Sequence, residues 1–392
     1  MPLNKKIDRI KWLRYHILKL RAIPDSSLKG GTPINRSSIP PKRKRARRSG
    51  LSVRSTNVRR SLRSTGVVTL TDVARMAGVS PITVSRVLNR PEIVSPETRD
   101  HVRRVVERTG YLPNLLAGGL ASRKTRFVAA IVPAISNQVF SESIQSLTNR
   151  LWESGYQVLL GTSGYPTSRE EDLLAAFLSR RPDGIFLTGI SHSVASRRRL
   201  AAAKIPVVEI WDFTPTPIDL LVGFSHEKVG QAVAEYLLGL SRRHFGVVTA
   251  DDARAEIRRK GFLSILEKSG ITDTSTVTVP APSNFQLGRE GLATFLKKGS
   301  LPRAIFCSSD TLAHGVLTEA QVRGISVPED LAIVGFGDLD FAASTHPPLS
   351  TVRIDRKAIG RLAAEALLRR FEGKSGQRII DIGFEIMARG TT

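Results

Sequence analysis

Of 392 residues only Cys307 is a cysteine. No disulfide framework can form within the chain, which excludes the small stapled secreted domains and suits a reducing cytoplasm. No stretch approaches the ~20 apolar residues that a membrane helix needs. The longest, FVAAIVPAI (Phe127–Ile135), has the length of a buried strand. No apolar run follows the basic start as it does in a secretory signal, so export is not expected. Catalytic motifs are missing too. There is no HExxH, no His/Cys cluster at metal spacing, no Walker A sequence and no GxSxG elbow. GTSG (Gly161–Gly164) lacks the elbow spacing, and GFGDLD (Gly335–Asp340) lacks the third glycine of a dinucleotide loop. No metal, no cofactor and no enzymatic activity are therefore expected.

Acidic residues are scarce at one end. Residues 1–66 hold 19 Lys/Arg against only Asp8 and Asp25, so most of the net charge of +24 sits there. Such imbalance points to a polyanion, nucleic acid before an anionic membrane. PPKRKRARRSG (Pro40–Gly50) sets six basic residues among Pro, Ser and Gly, where self-repulsion and few apolar anchors favour disorder. Two readings stand for 1–66: a DNA-tethering arm, or a dispensable extension ahead of the functional start.

VTLTDVARMAGVSPITVSRVLNRPEIVS (Val68–Ser95) carries two short apolar-periodic runs separated by Gly78. Thr71–Asp72 places a capping residue and an acid where a helix start favours them. Val73, Ala74 and Ala77 share a face. Ser80 and Pro81 form a second start, and Val84, Val87 and Leu88 then face one way. Ser95–Pro96 opens a third helix, with Val102, Val105 and Val106 inward and Gly110 at its end. Two short helices across a glycine turn have the helix-turn-helix form, whose second helix enters a major groove. A small three-helix bundle would look similar. The side chains left unpacked, Pro81, Ile82, Thr83, Ser85 and Arg86, are those a groove-reading helix needs.

From 125 onward, short β-branched runs alternate with helical stretches. Expected strands are Phe127–Val132, Gln157–Leu160, Gly184–Leu187, Pro206–Ile210, Asp219–Val222, Phe245–Val248, Ala304–Cys307 and Leu331–Val334. Expected helices lie near 138–154, 168–180, 225–241, 255–268, 286–298, 310–322 and 355–371. Repeated βα units imply parallel sheets covered on both faces. At ~265 residues two lobes are more natural than one sheet. The chain thus divides into 1–66, a headpiece at 67–113, a hinge and linker at 114–125, and a two-lobed domain at 126–392.

The headpiece stretch, then VSPETRDHV, GYLPNLLAGGLASRKT and GFGDLDFAASTHPPLSTV, resembles the lactose/galactose-repressor family of bacterial transcription regulators. VPAISNQVFSE, SGYP, PVVEIWDF and VGFSH are most similar to its repressors of gluconate utilisation. The resemblance covers roughly 67–390. It implies an α/β, two-lobed core like periplasmic binding proteins behind an all-α headpiece, and a homodimer on near-palindromic double-stranded DNA. Pro81 and Ile82 then fall at specificity-setting positions and Arg86 at a base-contacting one. Thr69, Ser80, Thr83, Ser85, Asn89, Ser95, Thr98, Tyr111 and Asn114 fall where phosphates are touched, and Leu120 where a leucine enters the minor groove. Phosphate contacts position, and base contacts specify. Gly118–Gly119 would weaken a hinge helix by about 1 kcal/mol each, coupling its formation to DNA.

The resemblance also places a small-molecule effector between the lobes. Arg258 would pair with a sugar-acid carboxylate, Glu209 and Asp310 would accept from hydroxyls, and Phe285 would cover an apolar face. Asn137, Phe140, Tyr165 and Thr188 are further first-lobe candidates. Each polar residue has a plainer alternative: Arg258 as one charge in a basic run, Asp310 as a helix cap, Glu209 as a partner to a helix end. The implied function is a repressor of sugar-acid catabolism genes, released by its effector. Alternatives are a different sugar or sugar phosphate as effector, a soluble sugar-binding protein, or an α/β enzyme with a DNA-binding domain. No leucine-heptad tail is present, so tetramers of that kind are not expected.

Overall fold

The computed structural model describes residues 68–112, 124–135, 138–164 and 167–392, with backbone alone at 167–168. The basic segment 1–66, most of the expected hinge, and Asn114, Leu120, Asn137 and Tyr165 lie outside the described residues.

Three helices form the headpiece: α1 (Leu70–Met76), α2 (Pro81–Asn89) and α3 (Pro96–Thr109). All start on a hydroxyl cap. The Asp72 amide donates to the Thr69 hydroxyl while the Asp72 carboxylate accepts from the Thr69 amide. The amides of Thr83 and Thr98 donate to the hydroxyls of Ser80 and Ser95, and proline holds the first helical position of α2 and α3. Gly78, at φ +62°, makes the turn between α1 and α2 in a backbone region that a side chain would strain. Helices this short are marginal alone. Packing of Val73, Ala74, Ala77, Val84, Val87, Val102 and Val105 holds them together.

The first lobe holds β1 (Phe127–Val132), α4 (Gln138–Trp152), β2 (Gln157–Thr162), α5 (Thr167–Leu178), β3 (Gly184–Thr188), α6 (Val194–Ala203), β4 (Val207–Ile210) and β5 (Leu220–Gly223). The second holds α7 (His226–Gly239), β6 (Phe245–Ala250), α8 (Ala253–Lys268), β7 (Thr274–Val279), α9 (Phe285–Lys297), β8 (Ala304–Cys307), α10 (Asp310–Val322), β9 (Ala332–Gly337) and β10 (Ser350–Arg353). The chain then returns to the first lobe as α11 (Arg356–Phe371) and β11 (Ile379–Asp381), and ends in the second with β12 (Glu385–Met387).

The first sheet runs β11-β5-β4-β3-β1-β2 and is parallel throughout; the second runs β12-β10-β9-β8-β6-β7, with only β12 antiparallel. Central strands such as β1, β4, β5, β6, β8 and β9 are buried along almost their whole length, whereas the edge strands β2 and β7 are half exposed. That difference explains what the sequence reading missed. β7 (TSTVTV) lacks a continuous apolar run because one face meets solvent. β10 and β11 are three or four residues long, and α6 is weakly amphipathic, with Arg197–Arg199 in its middle.

One contact in the second lobe positions the cleft. A Cβ on Gly230 of α7 would stand 2.0 Å from the carbonyl oxygen of Arg258, and one on Gly261 of α8 would stand 2.3 Å from that of Glu227. The two helices therefore meet backbone against backbone, which brings His226 beside Arg258. Gly230→Ala is expected to wedge them apart at a cost of about 1–3 kcal/mol, the range for overpacked cores. Differential scanning calorimetry would register it as a lowered melting temperature; an unchanged one would mean the helices can separate freely.

Candidate functional site

On α2, Val84 and Val87 are buried while Pro81, Ile82, Arg86 and Asn89 are exposed and Thr83 and Ser85 are half-buried. Ile82 is 64% exposed, so its side chain is not used by the headpiece core. The Arg86 guanidinium makes no hydrogen bond or ion pair with the described residues, so its donors remain free. The cap hydroxyls already have local partners: Ser80 Oγ lies 2.9 Å from Thr83 Oγ1, Ser95 Oγ donates to Thr98 Oγ1 at 2.9 Å, and Asn89 Nδ2 donates to the Ser85 carbonyl at 3.0 Å. Thr69, Ser80, Ser95 and Thr98 thus stand at helix N-termini, where amides and dipole favour an anion. Tyr111 packs its ring into the headpiece core, leaving 7% exposed.

Between the lobes lie two cavities that share Ala250, Asp252 and Arg254. The larger, about 520 Å³, includes Thr188, Gly189, Asp212 and Glu170 in its wall. The smaller, about 60 Å³, is lined by Phe140, Trp211, His226, Arg258, Ser308 and Phe336, among others. Arg258 is 5% exposed, and its guanidinium lies 4.0 Å above the Phe336 ring. Nη1 donates to His226 Nδ1 at 2.9 Å and Nη2 to the Ser308 carbonyl at 3.0 Å, while the buried Nε has no partner. His226 Nε2 in turn donates to the Trp211 carbonyl at 2.8 Å. Burial, with Arg258 and Arg254 nearby, drives the imidazole pKa well down, so it is neutral. Arg258 is therefore a buried cation whose direct partners are all uncharged. Burial pulls its pKa to about 10, against the pull of the more distant carboxylates of Asp252 and Asp212.

An ion pair spans the cleft. Arg254, in the first turn of α8, donates from Nε to Asp212 Oδ2 at 2.8 Å, and Asp212 follows β4 of the first lobe. A second cluster stands behind the larger cavity. His192 Nδ1 donates to Glu170 at 2.8 Å, and its Nε2 donates to the Gly189 carbonyl at 3.1 Å and lies 3.4 Å from Glu209 Oε1. Burial alone would lower its pKa, but the two carboxylates outweigh burial and hold it at about 9.

Several expected effector residues stand elsewhere. Asp310 is fully buried, but its carboxylate accepts from the Leu339 amide and the Thr351 hydroxyl. It fixes the β9–β10 connection and lines neither cavity. Burial raises its pKa to about 6 despite those bonds. Glu209 accepts from the Ile218 amide at 2.6 Å and faces His192, again away from both cavities. Phe285 packs edge-on against His314, with ring centroids 5.0 Å apart, rather than over the cleft. Arg258, Phe140 and Thr188 do line the cavities, and Thr188 Oγ1 is buried without a partner. The sequence reading passed over Asp212, His226 and Arg254. The first two sit within quoted segments, in WDF and FSH, but nothing local marks a strand end that faces a second lobe.

A helix-turn-helix unit with a free arginine, in one chain with a two-lobed core holding a charged cleft, defines a ligand-responsive DNA-binding regulator. Residues 69–114 match the model of bacterial regulatory proteins of the lacI family, and 234–392 match a periplasmic binding protein-like domain. The transcriptional regulator GntR of Pseudomonas aeruginosa is 39% identical, over 85% of this chain and 98% of that protein. The crystal structure of a LacI-family regulator from Silicibacter pomeroyi superposes with a TM-score of 0.79 at 34% identity, covering 83% of this chain and 99% of that one. The crystal structure of GntR from Chromobacterium violaceum gives 0.65 at 38% identity, over 68% and 98%. The chain belongs to the LacI family and is a DNA-binding transcriptional repressor. Among the described residues no helix is long and apolar enough to cross a membrane.

The His192 cluster sets a pH dependence. Its folded pKa of about 9 lies above the ordinary 6.5. The stability it adds is complete below about pH 6.5 and lost as pH rises through about 9. Melting temperatures of wild type and His192→Gln should therefore differ most at pH 6 and converge above pH 9. A gap that widens with pH would contradict the assignment.

Proposed function

We propose that this repressor grips a near-palindromic operator as a homodimer in the cytoplasm and is released by a gluconate-type sugar acid bound between its lobes. The observation that carries this reading is Arg258, a buried guanidinium in the cleft with uncharged partners and one N–H unused. A buried charge without a counter-ion is costly. A ligand carboxylate would offset that cost through charge-assisted bonds. Beside it in the smaller cavity, Phe140, Trp211 and Phe336 supply apolar walls, and in the adjoining larger cavity Thr188 and the second oxygen of Asp212 offer acceptors to hydroxyls. The larger cavity, about 520 Å³ and in the range of small-molecule sites, shares Ala250, Asp252 and Arg254 with the one that Arg258 lines.

On the DNA side, Arg86 donates to a guanine edge, and Pro81 and Ile82 select by apolar contact with a thymine methyl. Thr69, Ser80, Thr83, Ser85, Asn89, Ser95, Thr98, Tyr111 and Asn114 meet phosphates, by resemblance, and Leu120 wedges into the minor groove at the operator centre. Effector binding favours the closed lobes, changes the spacing of the two first lobes in the dimer, and disfavours the paired hinge helices. A coupling of about 1–3 kcal/mol is typical of such switches.

The test is a thermal-shift screen of the purified repressor against sugar acids, followed by operator titration with the hit. Arg258→Ala should lose both the thermal shift and operator release while operator affinity without ligand stays roughly intact; a normal response would overturn the assignment. Arg86→Ala should cost about 1–3 kcal/mol of discrimination at one base pair of each half-site, with affinity for unrelated DNA little changed. Equal losses on both DNAs would make Arg86 a phosphate contact.

A further inference from the structure

Resting on that reading, the charges of the cleft specify how many negative charges the ligand carries. Each acid that lines it, apart from the exposed Asp251, already has a partner. Asp252 caps α8, accepting from the amides of Arg254 and Ala255 at 3.0 and 2.9 Å. Glu256 pairs with Arg259 of the same helix at 2.7 Å. Glu170 pairs with His192, and Asp212 pairs with Arg254. Of the two cleft arginines, Arg254 is therefore neutralised from within the protein, and only Arg258 is left without a carboxylate in contact.

The Asp212–Arg254 pair is built into the fold. Asp212 is 6% exposed and follows Trp211, which adopts φ +68°, a region rarely taken by an aromatic residue. The turn is received by Gly223, where a Cβ would stand 2.0 Å from the Asp212 carbonyl oxygen. The guanidinium of Arg254 lies on the bare backbone of Gly189. A Cβ there would stand 2.5 Å from Arg254 Nη2 and 3.4 Å from Asp212 Oδ2. Arg254 also faces the Phe140 ring at 5.7 Å. Two glycines and a strained tryptophan thus hold a carboxylate of the first lobe against a guanidinium of the second.

We propose that Asp212 determines specificity by occupying Arg254, so that the site accepts singly charged polyhydroxy acids and rejects doubly charged ones. A mono-acid brings its one carboxylate to Arg258, the cleft arginine with no carboxylate in contact. The second carboxylate of a di-acid meets an arginine whose charge is already matched, beside the Asp212 carboxylate that repels it. Neutralising Asp212 frees Arg254 and adds the positive charge that a second carboxylate needs.

The experiment titrates full-length wild type and Asp212→Asn by calorimetry with three six-carbon probes: gluconate (one carboxylate), glucarate (two) and the neutral polyol glucitol. Wild type should prefer gluconate over glucarate by at least about tenfold, the equivalent of one lost interaction of ordinary strength, and Asp212→Asn should narrow or reverse that ratio. An unchanged ratio in a variant that still binds gluconate overturns the inference and leaves the proposed function standing. Wild type binding glucarate as tightly as gluconate also overturns it. If glucitol binds and the acids do not, the functional reading itself fails. Should Asp212→Asn not fold, Arg254→Gln takes its place: it leaves the Asp212 carboxylate without its cation, so it should widen the preference for gluconate over glucarate. An unchanged ratio would overturn the inference. Independently of any ligand, melting temperatures of Asp212→Asn, Arg254→Gln and the double variant should be non-additive. Strict additivity would mean the pair does not act as a unit.

Discussion

Arg258 holds its charge in a place where charge is expensive. The guanidinium is almost wholly removed from solvent and stacked on Phe336, and its terminal nitrogens bond an imidazole nitrogen and a carbonyl oxygen. Neither partner returns a full negative charge. Proteins keep such arrangements where function requires them and support them from elsewhere in the fold. Here the support is visible. α7 and α8 touch through Gly230 and Gly261, which sets His226 beside Arg258, and His226 is kept neutral so that its Nδ1 can accept. On the proposed function, this cation rather than the volume of the cleft would select an anionic ligand.

That cation also lies where a ligand can influence both lobes. Its own helix belongs to the second lobe, and His226 stands at the point where the chain passes from the first lobe to the second. Trp211, whose carbonyl accepts from His226, directly follows β4 of the first lobe. The Asp212–Arg254 pair spans the same gap. A ligand seated there, as proposed, would contact both lobes at once and bind the closed arrangement better than an open one, and such a difference in affinity is what shifts a two-state equilibrium. The return of α11 and β11 to the first lobe ties both ends of the second lobe to it, which favours a hinged motion over independent tumbling.

Much of this was legible in the sequence, for reasons that differ by element. The headpiece was readable because its signals are local: Ser80–Pro81 and Ser95–Pro96 as helix starts, Gly78 as the turn, and valines at helical spacing. The central strands were readable because burial on both faces makes them continuous apolar runs, so β1 and β8 fall where expected. The edge strand β7 was not, since a half-exposed strand rich in threonine looks like a loop. In the cleft, the sequence pointed to Arg258, Phe140 and Thr188. It also pointed to Asp310 and Glu209, whose carboxylates are turned to backbone amides and structural partners. A charged residue at a strand end looks the same in sequence whether it faces a ligand or a neighbouring loop. Asp212 and Arg254 went unread because their meaning comes from a contact 42 residues apart across two lobes.

The most direct measurement is a crystal structure of the repressor with gluconate bound. The account places the ligand between the lobes with a carboxylate oxygen within hydrogen-bonding distance of the Arg258 guanidinium and the Asp212–Arg254 pair intact beside it. A carboxylate that meets no guanidinium of the second lobe, or a ligand seated outside the cleft, would contradict it.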